Sequence, residues 1–216
     1  MAAVDEDALR QRMAEVMRAM DDKGLNRGTS GNVSARCGEA MLVTPSGVPA
    51  ARLTADQMVL VQPDGSTAPG SLKPSSEWRM HQGLLDRRPD VGAVVHCHSR
   101  YATILACAGK PIPAMHYMVA VSGGSSVPVA PYATFGSSEL ARIVVETLDG
   151  RYATLMANHG QIVAAPNLDF ALAIAEEIEE QAAVYWGTLA IGGPSLLGED
   201  EMNHILQRFQ SYGQGR

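Results

Sequence analysis

At 216 residues, with 17 Lys and Arg against 23 Asp and Glu for a net charge of −6, the chain is long enough for a sizeable core and carries no positive balance toward nucleic acid. Apolar residues at 46% and charged residues at 19% describe a globular mixture, no run approaches the ~18 uninterrupted apolar residues of a membrane span, and the start MAAVDEDALRQR is acidic where a leader would be basic. An anionic ligand must therefore be held by local groups, and the three cysteines, without a CxxC pair, read as reduced thiols of a cytoplasmic protein.

From Asp5 to about Lys23, Leu9, Met13, Val16, Met17 and Met20 fall at a helical period, and Gly24 is a stop signal. The methionine stripe reads as core packing. Residues 25–36, LNRGTSGNVSAR, form a loop of small polar residues that runs into a strand. Two glycines three apart allow a nest of backbone N–H groups for an anion, although such residues also simply make turns. The loop is not a dinucleotide fingerprint, since the GxGxxG spacing and the preceding strand are missing.

A strand over Ala40–Thr44 leads to a second hydroxyl-rich turn, Thr44-Pro45-Ser46-Gly47. Leu53–Val61 reads as a turn of helix and a strand, and residues 63–74 as a surface loop. Pro74-Ser75-Ser76-Glu77-Trp78-Arg79-Met80-His81 opens a helix to about Arg87. Ser75, Ser76 and Glu77 suit its cap and first turn, while the same N-terminus could seat a phosphate.

Ala93-Val94-Val95-His96-Cys97-His98-Ser99 is the most informative stretch. A β-branched run reads as a buried strand, and alternation turns His96 and His98 to one face with Cys97 on the other. Two imidazoles on one face can hold a divalent metal, which needs further ligands. Ser99 starts a helix to about Ala106, and His116 and Tyr117 follow in a Pro-rich passage as either ligands, acids or packed residues. Pro128–Ala130 reads as a strand and Gly136–Asp149 as a helix. His159, in Asn158-His159-Gly160 between two short apolar segments, is the candidate third ligand. A helix from about Leu168 to Leu189 carries Glu176, Glu177, Glu179 and Glu180, an acidic run expected on a solvated or subunit-facing surface, and a last helix runs from Glu199 to about Gln210.

The blocks GLNRGTSGNVSAR, LVTPSGV, SSEWRMH, VVHCHS, IPAMHYM, PYATFG, NHG and FQSYG stand in order along nearly the whole chain, which thereby resembles the class II aldolase/adducin family. They look most like its members that act on L-fuculose 1-phosphate. Periodicity alone gives only mixed α/β. The resemblance implies an α/β/α sandwich with a mixed, mainly antiparallel central sheet, residues 1–216 as one domain, and a tail from about residue 199 that closes over the active site. It also implies a C4 homotetramer with active sites between subunits.

By motif, the resemblance implies one Zn2+ per subunit, or Mn2+ or Co2+, held by His96, His98 and His159. Glu77 matches the carboxylate at the resting metal and the acid/base. Thr29, Asn32, Ser46, Gly47, Ser75 and Ser76 match a phosphate site. Tyr117 matches a proton-transferring tyrosine that reaches a neighbouring subunit, and Phe135, Phe209 and Tyr212 match the aldehyde side. Asn158 stands where fuculose-phosphate members often have a second histidine, and Arg27 and Ser30 where Gln and Ala are common. The expected reaction is cleavage of a ketose 1-phosphate to dihydroxyacetone phosphate and an aldehyde such as L-lactaldehyde. The alternative substrates are 5-methylthioribulose 1-phosphate and 5-deoxyribulose 1-phosphate, from salvage of S-adenosylmethionine by-products. Related chemistries are methylthioribulose-1-phosphate dehydration and pentulose-5-phosphate 4-epimerisation. A non-catalytic adducin-like module would have no use for His96, His98, His159 and Glu77 together.

Overall fold

The computed structural model describes residues 5–210. Helix α1 (Glu6–Asp22) starts at Asp5, whose side chain accepts from the Ala8 amide, and ends where Leu25 N–H reaches back to the Met20 carbonyl around Gly24 at φ +72. Among the described residues seven strands follow: β1 (Asn32–Cys37), β2 (Ala40–Val43), β3 (Val59–Val61), β4 (Ala93–Cys97), β5 (Val129–Ala130), β6 (Ala153–Met156) and β7 (Gly160–Ala165). They form one sheet in the order β3-β2-β1-β4-β7-β6-β5. Every pairing is antiparallel except β5 with β6. The sheet is thus mixed and mainly antiparallel, as the resemblance implied.

Alternation along the strands divides the interior in two. Val33, Ala35, Val95, Cys97 and Val163 bury one face with α1, α3 (Arg100–Cys107) and α5 (Leu168–Leu189). Val43, Val94, Ile162 and Ala164 bury the other with α2 (Trp78–Arg87) and α4 (Ser138–Thr147). The final helix, α6 (Glu199–Gln210), packs against the 3-10 helix Tyr117–Ser122 and adds Met202 and Ile205 to the first core.

Two helix starts differ from the serine caps expected of them. Helix α2 begins at Trp78, so Ser75, Ser76 and Glu77 precede it. The Ser75 hydroxyl accepts from the Glu77 amide at 3.3 Å, while the Glu77 side chain caps nothing. Ser99 precedes α3 without a capping bond of its own; the Glu179 carboxylate, from α5, accepts from the amides of Tyr101 and Ala102 at 2.9 Å each. Of the acidic run on α5, Glu179 therefore turns inward onto a helix terminus, where a negative charge is favoured.

Candidate metal centre and active site

β4 carries its polar cargo at its end. His96 is fully buried on the α2 side of the sheet, and Cys97, also fully buried, points into the opposite core. The next strand over, β7, starts at Gly160, immediately after a turn in which His159 N–H bonds to the Met156 carbonyl at 3.0 Å. Asn158 occupies that turn at φ +55, a left-handed conformation that asparagine tolerates better than most residues. A Cβ on Gly160 would lie 2.4 Å from the Cys97 carbonyl oxygen and 3.1 Å from His98 Cδ2. Only glycine lets the turn approach β4 this closely.

The three imidazoles consequently meet. Their ring centroids are 4.7–4.9 Å apart, and one nitrogen from each falls within 4.8 Å of the others. His96 and His98 Nε2 are 3.0 Å apart. His96 donates its Nδ1–H to the Gln161 carbonyl at 2.8 Å, which leaves Nε2 as the lone-pair nitrogen facing the cluster. Behind it, the Gln161 side chain donates to Ser99 Oγ at 2.8 Å and to the Ala175 carbonyl at 3.0 Å, bracing β7 against α3 and α5.

Glu77 completes the group from the other side. Its Oε2 lies 3.3 Å from His96 Nε2 and its Oε1 3.1 Å from His159 Nε2, with Oε1 receiving no directed hydrogen bond. Burial would raise this carboxyl, but the adjoining His96 and His159 imidazoles outweigh that and hold it well below the usual carboxylate range. His98 is pushed down to about 4, first by burial and then by its two histidine neighbours. Three imidazoles and an ionised carboxylate with a vacant lone pair, converging on one point, form a donor set that fits a divalent transition ion.

The three small-residue loops reach the same end of the sheet. Asn32 begins β1 directly opposite His96 on β4. The Thr44–Gly47 turn is tied to β1, since Val33 N–H donates to Thr44 Oγ1 at 3.2 Å. It is also tied to the segment before α2, through Ser46 N–H to the Lys73 carbonyl and Ser75 N–H to the Thr44 carbonyl. Thr29, Ser46, Gly47 and Ser76 are exposed there, while Asn32 and Ser75 are buried. Phe135, 66% exposed, stands on a loop pressed against this rim, because a Cβ on Gly136 would lie 2.7 Å from the Ser76 carbonyl oxygen.

The remaining candidates sit on other segments. Tyr117 opens the 3-10 helix, stacks on His116 with centroids 4.7 Å apart, and is half exposed. Phe209 belongs to α6 and packs against the first core. Tyr212 lies outside the described residues.

Sequence reading passed over His81, Ser34 and Gln161. All three are fully buried beside the cluster. The available signal was periodic: Glu77 and His81 are one helical turn apart, and Asn32 and Ser34 share a strand face.

Residues 11–186 match the model of the class II aldolase and adducin N-terminal domain. The chain is 47% identical over 206 residues, 95% of its own length and 93% of the other's, to a 5-methylthioribulose-1-phosphate/5-deoxyribulose-1-phosphate aldolase of Rhodospirillum rubrum. It is 42% identical over 211 residues, 97% of its length and 98% of the other's, to an L-fuculose phosphate aldolase of Escherichia coli K12. Among solved structures, an L-fuculose 1-phosphate aldolase superposes with a TM-score of 0.91 at 37% identity, covering 94% of this chain and 96% of that one.

Proposed function

The chain belongs to the class II aldolase and adducin family and is one of its aldolases, a lyase; we propose that it cleaves a ketose 1-phosphate between C3 and C4 into dihydroxyacetone phosphate and an aldehyde. The observation that carries this reading is the convergence of His96, His98 and His159 on Glu77 at 3.1–3.3 Å. His96, His98 and His159 would hold the ion, Zn2+ by its preference for three imidazoles with open positions. The bound ion supplies Lewis acidity toward the substrate's C2 carbonyl.

The side chains account for the proton traffic. Glu77 returns a proton to C3 once C3–C4 has broken, or removes it in the direction of condensation. Asn32, Thr29, the Ser46–Gly47 turn and Ser75–Ser76 bind the phosphate through amides and hydroxyls. That neutral cradle suits a chain whose sequence carries no strong basic patch. Tyr117, half exposed, reaches a neighbouring subunit in a C4 tetramer and takes the proton of the C4 hydroxyl as it becomes the aldehyde carbonyl. Phe135, Phe209 and Tyr212 are assigned to the aldehyde half by their match to the family, together with the segment from about residue 199, in an assembly that works in the cytoplasm.

L-Fuculose 1-phosphate, giving L-lactaldehyde, is one substrate reading, supported by the similarity to the fuculose phosphate aldolases. The 47% identity to the Rhodospirillum rubrum enzyme favours a second, in which 5-methylthioribulose 1-phosphate or 5-deoxyribulose 1-phosphate places an apolar end against Phe135. A coupled reductase assay for dihydroxyacetone phosphate tests both. Release from any of the three sugars supports the aldolase reading, and the ratio of kcat/KM values ranks the substrates. Turnover without dihydroxyacetone phosphate would point to dehydration or epimerisation.

A further inference from the structure

His81 has no part in the reading above, yet it is fully buried within reach of it. Its Nδ1 is 2.8 Å from Ser34 Oγ and its Nε2 is 2.5 Å from Asn32 Oδ1. Asn32 Nδ2 in turn donates to Glu77 Oε2 at 2.9 Å. We infer that His81 is a positioning residue: it fixes the Asn32 amide so that its N–H, not its oxygen, faces the Glu77 carboxylate.

Only one direction of hydrogen bonding satisfies the chain. An ionised Glu77 accepts and cannot donate, so Asn32 must present Nδ2 to it and Oδ1 to His81. His81 Nε2 must then carry the proton, and Nδ1 accepts from the Ser34 hydroxyl. The opposite amide orientation would set Asn32 Oδ1 against Glu77 Oε2 at hydrogen-bond distance with no proton between them. Burial pushes His81 down to about 3, so it stays neutral with one N–H to give. The arrangement is a strand pair against a helix pair. Asn32 and Ser34 share a face of β1, and Glu77 and His81 stand one turn apart at the start of α2.

The relay joins the last residue of the phosphate loop to the acid/base. Asn32 cannot rotate toward a phosphate without changing what it offers Glu77, so seating the anion and orienting the carboxylate are one adjustment. This inference rests on the roles given to Glu77 and Asn32 above.

The test is exchange of the C3 proton of dihydroxyacetone phosphate with solvent, on metal-loaded protein, in a double-mutant cycle. His81→Leu, which keeps bulk but has no donor, is expected to slow exchange by about tenfold or more, the usual scale for groups behind the reacting ones. In an Asn32→Ala background, where there is no amide to orient, it should cost less than about twofold. A residue that only supports the fold would cost the same in both backgrounds, and that result overturns the inference, as does wild-type exchange by His81→Leu alone. Should His81→Leu not fold, His81→Gln and His81→Asn carry the comparison, since glutamine can reach the Nε2 position with an N–H and asparagine cannot. Glutamine should restore exchange and asparagine should not; equal rates overturn the relay. Glu77→Gln separates the two levels. If it keeps wild-type exchange, the base assignment fails; if it loses exchange while His81→Leu does not, only the relay fails.

Discussion

Asn32 stands directly across the β1–β4 ladder from His96, and its amide holds the carboxylate that lies 3.3 Å from the same histidine. Residues directly opposite in an antiparallel pair share a face. The sheet register therefore decides that a phosphate-loop residue and a metal-ligand candidate project together toward α2. A slip of one residue would turn Asn32 into the opposite core.

That arrangement separates metal binding from proton transfer. His96→Ala should abolish both the bound divalent ion and dihydroxyacetone phosphate formation. Glu77→Gln should retain close to the wild-type metal content while losing C3 proton exchange by about 100-fold or more, the scale of a general acid/base. Elemental analysis beside the exchange assay checks the pair. Full metal with His96→Ala would remove His96 from the ligand set.

Gly160→Ala forces a methyl group against the Cys97 carbonyl, 2.4 Å from an ideal Cβ, and against the His98 ring. A backbone oxygen inside a sheet cannot step aside, so the hairpin must lift from β4. The expected cost is about 3 kcal/mol, the upper range for overpacking, with loss of the ion because His159 moves with the turn. Denaturant unfolding and metal content should change together. Lost metal with unchanged stability would count against this account.

Much of this was legible before any coordinates. The i, i+2 spacing of His96 and His98 states their common face, and Asn-His-Gly announces a tight turn. Glu77 was harder to place, because Ser-Ser-Glu before an apolar run is what an ordinary helix start looks like. It took the helix beginning at Trp78 to free the carboxylate for the cluster. Glu179 was misjudged for a related reason: a surface glutamate and one that caps another helix have the same local sequence. His81 was invisible because its partners, Asn32 and Ser34, are brought to it by a strand more than forty positions away.

Acid should loosen the fold through His81. Its folded pKa of about 3 lies below the ordinary histidine value of ~6.5. Between those values the unfolded chain binds a proton that the folded chain does not. The contribution to stability is thus fully present above pH ~6.5 and is lost progressively as pH falls toward 3, with a slope of at most ~1.4 kcal/mol per pH unit. Urea unfolding across this range should show His81→Gln with a shallower pH dependence than wild type, by about one proton. Parallel curves would mean that His81 does not titrate in this way.

The cysteines should differ sharply in reactivity. Cys107 is exposed, whereas Cys97 is fully buried, and its thiol is pushed up to about 12, chiefly by that burial. Iodoacetamide at neutral pH should modify Cys107 first and spare Cys97 until denaturant is added, as read by peptide mass spectrometry. Early modification of Cys97 in the native protein would show that β4 opens readily.

The β4–β7 pairing has a consequence for how the protein is assembled. His96 and the Gln161 carbonyl it bonds are 65 positions apart in the sequence, on the central strand of the sheet and its neighbour. Closing that long loop costs chain entropy before any ligand is complete. The coordination sphere proposed here can therefore form only after the β6–β7 hairpin has docked on β4. An ion held there would act as a clasp fastened last, stabilising the fully paired sheet by an amount that grows with the logarithm of its free concentration. The seam on which catalysis depends would also be the part of the fold most sensitive to the cell's supply of metal.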